Sequence, residues 1–426
     1  MERNGEEPKF RSFLPLLPFN AATAGISTLV PLAIIGLKGS VIDVGFSAMA
    51  YNLALIPAPL VWGYICDVTG ARKKVVMLSS ALIAVSAVGM YLTDTTVTIA
   101  LLFAAIGHSA GMLAPALNLL IIESLPKTEW EKGYTFSSLY STVGTIGGLT
   151  TGMVWSFYMP SSYFFLICAG FALVAVALTM VEVREPAVPI ERRSFLLSPS
   201  AFVYRLTQVP LLFLRVPRRA DFVSVVRLAR QGMTRDIPVI LTASALFSAS
   251  LNIFFTSYTP YLKENGLSNW EVYFTSLYIS AMNGLASRML LRKAQGAVTP
   301  QMASSALAVR SLGMLLAAVF AVFLSGPLTF YATLASFTFL GVAYTVISVN
   351  LNSLFYKSLP AGRQGGLLGV YSALNGTALF VGAAVSGYIS FYLGYPMTFF
   401  VSATLVLLSA AVLQAHFGGS PPPTYE

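Results

Sequence analysis

The feature that most constrains this chain is a series of long stretches without Lys, Arg, Asp or Glu. The first four cover residues 13–37, 44–66, 75–93 and 95–122. Each is close to the length of about 20 residues that a helix needs to cross the hydrocarbon core of a bilayer. Because 56% of the 426 residues are hydrophobic and only 10% are charged, a water-soluble fold could not bury the apolar side chains. The sequence therefore predicts an all-α membrane protein.

The remaining stretches bring the number of predicted spans to twelve. The uncharged run 133–181 is long enough for two helices, and the motif "YMPSS" (158–162) divides it. In the second half, the first three predicted spans cover residues 237–262, 268–290 and 301–324. The motif "SGPL" (325–328) separates the third span from a fourth that ends at about residue 356. The last two spans cover residues 365–391 and 396–415.

The cations lie almost entirely on one side of these spans. Of the 26 Lys and Arg residues, 23 fall on the side of the N-terminus, Lys38 and Lys263 fall on the other, and Arg310 lies within a span. Cytoplasmic loops carry the excess of Lys and Arg, so the pattern predicts a multi-pass protein of the cell membrane with both termini in the cytoplasm. The net charge of +9 indicates contact with anionic lipid headgroups and not with nucleic acid.

The chain is expected to divide into two helical bundles joined by a basic linker. The motif "DFVSVVRLARQG" within that linker predicts an amphipathic helix that lies on the lipid headgroups. The predicted segments are a cytoplasmic N-terminal segment (1–12), a six-helix bundle (13–181), the linker (182–236), a second six-helix bundle (237–415) and a cytoplasmic tail (416–426).

An internal repeat relates the two bundles. The motifs "SVIDVGF" (40–46) and "SNWEVYF" (268–274) match at an offset of 228, and each has the S-x-x-[DE] pattern of a capping box. Gly147 and Gly152 pair with Gly382 and Gly387 at an offset of 235. A slowly drifting offset across six spans predicts two parallel six-helix repeats.

The twelve spans, the basic central linker and one turn together resemble the major facilitator superfamily. The turn "GYICDVTGARKK" (63–74) is similar to the family's motif G-x-x-x-D-x-x-G-R-K. "GHSAGMLAP" (107–115) and "SLPKTEWEKG" (124–133) are similar to its fourth helix and the loop that follows. The resemblance implies that the Asp and its basic partners latch the two bundles together at the cytoplasmic face. The residues given this gate role are Gly63, Asp67, Gly70, Arg72 and Lys73, with Glu123 as a candidate partner.

The same resemblance implies a transport path between the bundles, lined mainly by spans 1, 4, 7 and 10. Polar side chains beside aromatic ones suit an uncharged or amphipathic substrate, although Ser, Thr and Asn also serve interhelical hydrogen bonding. Span 7 carries a stripe of four polar residues at fourfold spacing, which begins at Ser244. The candidate cavity residues are Asn20, Thr23, Ser27, Tyr51, Asn52, His108, Tyr140, Ser248, Asn252, Thr256, Tyr278, Asn283, Tyr371 and Asn375.

Two ionisable side chains lie within the predicted spans. His108 is a candidate for proton coupling, because an ionisable residue inside a membrane is a functional candidate by default. The alternative is a neutral His that bonds a neighbouring helix. Arg310 is expected to extend toward the cytoplasmic surface and to serve structure. The glycine-rich stretch "GTIGGLTTG" (144–152) resembles the antiporter helix of the family, but it also suits plain helix packing.

These features predict a secondary active transporter that moves a small organic solute by rocker-switch alternating access. Efflux is the expected direction, and coupling to protons is one mode left open for it, although no predicted span contains the deep carboxylate of many proton-coupled relatives. Uptake symport or uncoupled facilitation is the alternative, and a membrane receptor or assembly factor is a more distant one. The sequence has no metal-ligand cluster, P-loop or nucleophile motif, so an enzyme, a cofactor and a metal are not expected. The protein is expected to be a monomer.

Overall fold

The computed structural model describes residues 10–126, 129–183, 236–292, 299–359 and 364–418. Within these ranges the regular structure is helical, with no strand. The long helices are α1 (Leu16–Gly36), α2 in two segments (Val41–Leu55 and Ala58–Thr69), α3 (Arg72–Leu92), α4 (Thr96–Ser124), α5 (Trp130–Tyr158), α6 (Phe164–Glu182), α7 (Asp236–Glu264), α8 (Asn269–Arg292), α9 (Pro300–Phe323), α10 (Leu328–Lys357), α11 (Gln364–Leu393) and α12 (Tyr395–Phe417).

These helices coincide with the twelve predicted spans. Among the described residues, ten helices are both long and apolar enough to cross a bilayer. The exceptions are α5 and α8, whose many Ser, Thr, Tyr and Gly residues lower the mean hydropathy. These two helices pack against each other, so part of their polar surface faces protein and not lipid. The first segment of α2 ends before Pro57, because a proline has no N–H to continue the helix.

Helix packing follows the same pattern in both halves of the chain. In the first half α1 packs on α5, α2 on α4, and α3 on α6. In the second half α7 packs on α11, α8 on α10, and α9 on α12. Each packed pair in the second half has the helix numbers of a pair in the first half raised by six. Two parallel six-helix repeats predict this pattern.

Close backbone contacts refine the register of the repeat. A Cβ on Gly148 would collide with the carbonyl oxygen of Ala21, and a Cβ on Gly382 would collide with the carbonyl oxygen of Ala249. A Cβ on Gly147 would have no atom within 4 Å. Gly148, and not Gly147 as the sequence alignment predicted, is therefore the structural counterpart of Gly382.

The capping box predicted at Ser40 is formed, and at Ser268 the structure shows the Glu271 side of the predicted box. Ser40 Oγ accepts a hydrogen bond from the backbone N–H of Asp43, and the Asp43 carboxylate accepts one from the backbone N–H of Ser40 at 2.7 Å. At the start of α8, Glu271 Oε2 accepts hydrogen bonds from the backbone N–H and the hydroxyl of Ser268, at 2.7 and 2.6 Å. These hydrogen bonds satisfy backbone donors that a helix start leaves without partners.

The bundle has two distinct ends. The basic end contains the α2–α3 turn, the α4–α5 connection and the starts of α7 and α9, and the opposite end contains the α1–α2, α5–α6 and α7–α8 turns. The halves meet through α2 with α11 and through α5 with α8. The predicted amphipathic helix at 221–232 and the rest of the linker from 184 to 235 lie outside the described residues, as do residues 1–9 and 419–426.

Candidate transport path and gates

Tyr273 of α8 closes the opposite end of the interface between the halves. Its side chain is fully buried, and its hydroxyl donates a hydrogen bond to the carbonyl oxygen of Gly25 in α1 at 3.2 Å. The ring packs edge-on against Phe164, with 5.6 Å between the ring centroids. It also fills the space beside Gly152 that a Cβ there would need. One side chain of the second half thus occupies a recess in the first half.

Further contacts join the halves at the same end. Asn269 Nδ2 donates to Ser161 Oγ at 2.6 Å, and the rings of Phe157 and Trp270 stack with centroids 5.1 Å apart. Gly45 and Gly387 allow the backbones of α2 and α11 to touch, because a Cβ on Gly45 would lie 3.1 Å from atoms of Gly387. The opposite end is therefore held closed by polar, aromatic and backbone contacts together.

A cavity of about 240 Å³ lies between the halves beside this closure. Helices α1, α5, α7, α8 and α10 form its wall, which contains hydroxyl and aromatic groups and no charged side chain. The hydroxyl groups belong to Ser27, Thr28, Tyr258, Thr259, Thr275, Ser276 and Ser280, and the phenyl rings to Phe255 and Phe337. A wall of this composition suits a small solute with both polar and apolar surface.

Only Ser27 of the predicted cavity residues lines this cavity. The sequence reasoning missed the hydroxyl groups of α8, Thr275, Ser276 and Ser280. Ser276 and Ser280 are four residues apart and therefore share a helix face, which was the available signal.

The polar stripe of α7 faces α11. Ser244 and Ser248 both donate to Asn375 Oδ1, at 2.9 and 3.2 Å, and Asn252 Nδ2 donates to the carbonyl oxygen of Leu379 at 2.8 Å. Thr256, the fourth member, is buried. In this conformation the first three residues hold two helices together, which is the alternative that the sequence left open for them.

Most other candidates in the second half also bond neighbouring helices. Tyr371 of α11 donates to Asn352 Oδ1 of α10 at 2.7 Å. The hydroxyl groups of Tyr278 and Thr338 lie 2.8 Å apart, which joins α8 to α10. Asn283 has a buried Oδ1 without a hydrogen-bond partner among the described residues.

The first-half candidates bond mainly to their own helices. The side chains of Asn20, Thr23 and Asn52 donate to carbonyl oxygens in the preceding turn, at 2.8, 3.2 and 2.7 Å. Asn20 Nδ2 also lies 3.2 Å from Ser141 Oγ of α5. The rings of Tyr51 and Tyr140 contact Phe103 and Phe136, with centroids 4.6 and 6.4 Å apart.

His108 in α4 accepts a hydrogen bond from Trp62 in the second segment of α2. The Trp62 Nε1 atom lies 2.9 Å from His108 Nε2. An indole N–H can only donate, so His108 Nε2 must carry a lone pair. His108 Nε2 therefore acts as an acceptor in this conformation, as expected for a His that bonds a neighbouring helix.

The basic turn between α2 and α3 is fixed by one glycine and one buried ion pair. Gly70 ends α2 with φ +70°, a conformation that favours glycine. Gly63 has only an ordinary contact, because a Cβ there would lie 3.5 Å from Pro115. Arg72 Nη2 lies 2.7 Å from Glu123 Oε1, and the Arg72 side chain is 3% exposed.

Lys73 and Asp67 are the two remaining gate candidates in this turn. Lys73 Nζ donates to the carbonyl oxygen of Met180 at the end of α6, at 2.7 Å. The side chain of Asp67 lies outside the described residues. Arg72, Glu123 and Lys73 thus form contacts within the first half.

Comparison with known proteins identifies the family. The Major Facilitator Superfamily model matches residues 16–373. The chain belongs to the Major Facilitator Superfamily. Membership in this superfamily identifies the protein as a multi-pass membrane transporter and not an enzyme. No curated protein sequence matches the chain.

Solved structures of other transporters share the fold. A peptide transporter, POT, in complex with sulfate has a TM-score of 0.71 at 14% identity, covering 97% of this chain and 95% of that one. The nucleoside transporter NupG has a TM-score of 0.70 at 14% identity, covering 97% and 100%. The inward open xylose transporter XylE from E. coli has a TM-score of 0.69 at 14% identity, covering 98% and 96%. At this identity, the likeness establishes the fold alone.

Proposed function

We propose that this superfamily member is a secondary active transporter that moves a small organic solute by rocker-switch alternating access. The observation that carries the proposal is the cavity between the halves, closed on one side by Tyr273. A site at the interface of two repeats can face either side of the membrane when one half rocks against the other. The mixed hydroxyl and aromatic wall favours an uncharged or amphipathic solute.

We infer that the basic end faces the cytoplasm and that the protein resides in the cell membrane as a monomer. The location of 23 of the 26 Lys and Arg residues supports this orientation. The closure by Tyr273 then blocks the external side in this conformation. The bundles 13–181 and 237–415 are the proposed moving units, and linker 182–236 is proposed to lie on anionic headgroups.

Efflux is the proposed direction, with uptake symport and uncoupled facilitation as the alternatives. The glycine-rich stretch of α5 does not distinguish efflux from uptake or facilitation. Gly144 and Gly148 pack against carbonyl oxygens of α1, which is a role in plain helix packing. The Trp62–His108 hydrogen bond favours facilitation, since it gives His108 a structural partner on α2. Proton coupling through His108 would need a conformation in which the two side chains separate.

Accessibility of the cavity from each side tests alternating access. We would introduce Ser27→Cys in a background in which the two buried native cysteines, Cys66 and Cys168, are replaced by Ala. The variant would be reconstituted in vesicles of known orientation and treated with a membrane-impermeant maleimide from either side. A transporter is expected to react from both sides, with the basic end faster.

The matched control is Ser402→Cys, whose position in α12 is fully buried against α7 and α9. It should react from neither side. Labelling of Ser27→Cys from the basic end alone, in a cooperatively folded protein, would contradict alternating access and favour a receptor.

A further inference from the structure

Arg310 is a permanently charged side chain buried in the middle of the second half. It lies near the centre of α9 (Pro300–Phe323), and 1% of its surface is exposed. The guanidinium points into the bundle and not toward the basic end. Its Nη1 donates to the carbonyl oxygen of Leu340 in α10 at 2.6 Å. The expectation that Arg310 extends to the membrane surface is therefore wrong.

Three aromatic rings surround the guanidinium. The Cζ atom lies 5.5 Å from the ring centroid of Phe247, 5.9 Å from that of Phe255 and 5.6 Å from that of Tyr344. The negative faces of aromatic rings attract cations. The rings and the carbonyl stabilise the charge but cannot neutralise it.

The charge of Arg310 has no counter-ion in the part of the chain that the structure describes. No carboxylate there lies within ion-pair distance, and Nε and Nη2 have no hydrogen-bond partner. An arginine side chain stays protonated in proteins. A buried charge without a partner is costly, and such residues in membrane proteins commonly serve a function.

One ring of this aromatic cage is also part of the cavity wall. Phe255 contacts Arg310 on one side and lines the 240 Å³ cavity on the other. Phe337 lines the same cavity and packs on Phe255, with ring centroids 6.1 Å apart. The guanidinium thus lies one aromatic layer behind the wall. Because a low-dielectric interior screens charge poorly, the positive field reaches the cavity.

We propose that Arg310 sets the charge selectivity of the cavity, which takes an amphipathic organic anion such as a carboxylate and rejects organic cations. The proposal rests on the proposed transport function and names its substrate class. The hydroxyl groups of the wall can donate hydrogen bonds to the carboxylate; Ser276 and Ser280 would first release the carbonyl oxygens of Val272 and Ser276, to which they donate in this conformation. The aromatic rings would hold the apolar body of the solute. Arg310 acts through the field and through the position of Phe255, and it needs no direct contact with the solute.

Matched probes that differ only in charge test this selectivity. We would use several phenylalkyl and alkyl scaffolds, each as a carboxylate, a primary amide and a trimethylammonium compound. Binding to the detergent-purified full chain would be measured by the thermal-unfolding shift and by direct titration. The carboxylate is expected to bind at least about tenfold more tightly than the amide, and the ammonium compound weakest.

Two substitutions assign the effect to Arg310. Arg310→Gln should bring the affinity ratio of carboxylate to amide close to one, and Arg310→Lys should restore most of it because the charge remains. A purely structural role would reduce binding of both probes alike and leave the ratio unchanged. Lys132→Gln, which removes an exposed cation at the basic end, should not change the ratio.

Binding of the carboxylate, amide and ammonium probes to the wild-type protein tests the proposal even if Arg310→Gln fails to fold. Equal binding of the three charge forms, preference for the ammonium compound, or no binding of any carboxylate at millimolar concentration would each overturn it. The Ser27→Cys labelling experiment is independent of solute charge. Two-sided labelling without anion preference would refute the selectivity alone, and anion preference with one-sided labelling would refute transport alone.

Discussion

Tyr273 of α8 donates a hydrogen bond to the carbonyl oxygen of Gly25 in α1, and this bond crosses the interface between the two halves. In the repeat, Tyr273 corresponds to Gly45 of α2 at the offset of 228. Gly45 meets Gly387 through backbone contact, whereas Tyr273 inserts a ring beside Gly152. The two symmetry-related contacts therefore close the same end by different means, and a single side chain dominates one of them.

Removing the Tyr273 side chain should open the opposite end. Tyr273→Phe loses one hydrogen bond, worth about 1 kcal/mol, and should shift the equilibrium about fivefold toward the outward-open state. Tyr273→Ala loses the packed ring as well and should shift it further. The measurement is the ratio of Ser27→Cys labelling from the two sides of oriented vesicles. Unchanged ratios in both variants would show that Tyr273 does not hold the gate.

Two adjacent glycines of α5 should respond oppositely to the same substitution. Gly148→Ala places a Cβ against the carbonyl oxygen of Ala21, and the forced separation of α1 and α5 should cost about 1–3 kcal/mol. Gly147→Ala meets no atom within 4 Å and should be neutral or stabilising, because Ala favours helices over Gly. Apparent melting temperatures in detergent would compare the pair. A loss of stability in Gly147→Ala instead would mean that the repeat register is off by one residue.

Much of the fold could be predicted from the sequence because hydrophobic length and cation position are strong, local signals. The twelve spans followed from charge-free stretches, and the capping box at Ser40 and the hydrogen bonds of Ser268 with Glu271 followed from spacing alone. The exact partner of Gly382 could not be found this way. Which of two adjacent glycines approaches another helix depends on the rotation of α5 about its axis, and sequence spacing does not determine that rotation.

The candidate site was harder to predict than the fold. A polar stripe such as Ser248 and Asn252 has the same sequence pattern whether it faces a cavity or a neighbouring helix. In this structure it faces α11. Arg310 was expected at the surface, because its depth of ten residues from the start of α9 is within reach of a long side chain. The aromatic cage that holds it inward comes from α7 and α10, and sequence spacing does not determine which faces of these two helices turn toward α9.

Substitutions at His108 should separate a structural from a proton-carrying role. His108→Gln retains a side-chain acceptor for the Trp62 N–H, so stability should change little. His108→Ala leaves that N–H without its partner and should cost about 1–3 kcal/mol, measured by thermal unfolding. If His108 carries no proton, His108→Gln should keep the wild-type pH dependence of transport. Loss of that dependence, with binding retained, would make His108 the proton carrier.

The Arg72–Glu123 ion pair should be strongly coupled because Arg72 is almost fully buried. Arg72→Ala would leave Glu123 without its cation and should cost about 3–5 kcal/mol. Arg72→Met together with Glu123→Gln removes both charges and should cost less than the sum of the single changes. A double-mutant cycle of chemical or thermal unfolding in detergent measures this difference. Additive effects would indicate that another group carries the charge balance of Arg72, and Asp67→Asn in the same cycle would then identify whether that group is the carboxylate of the turn.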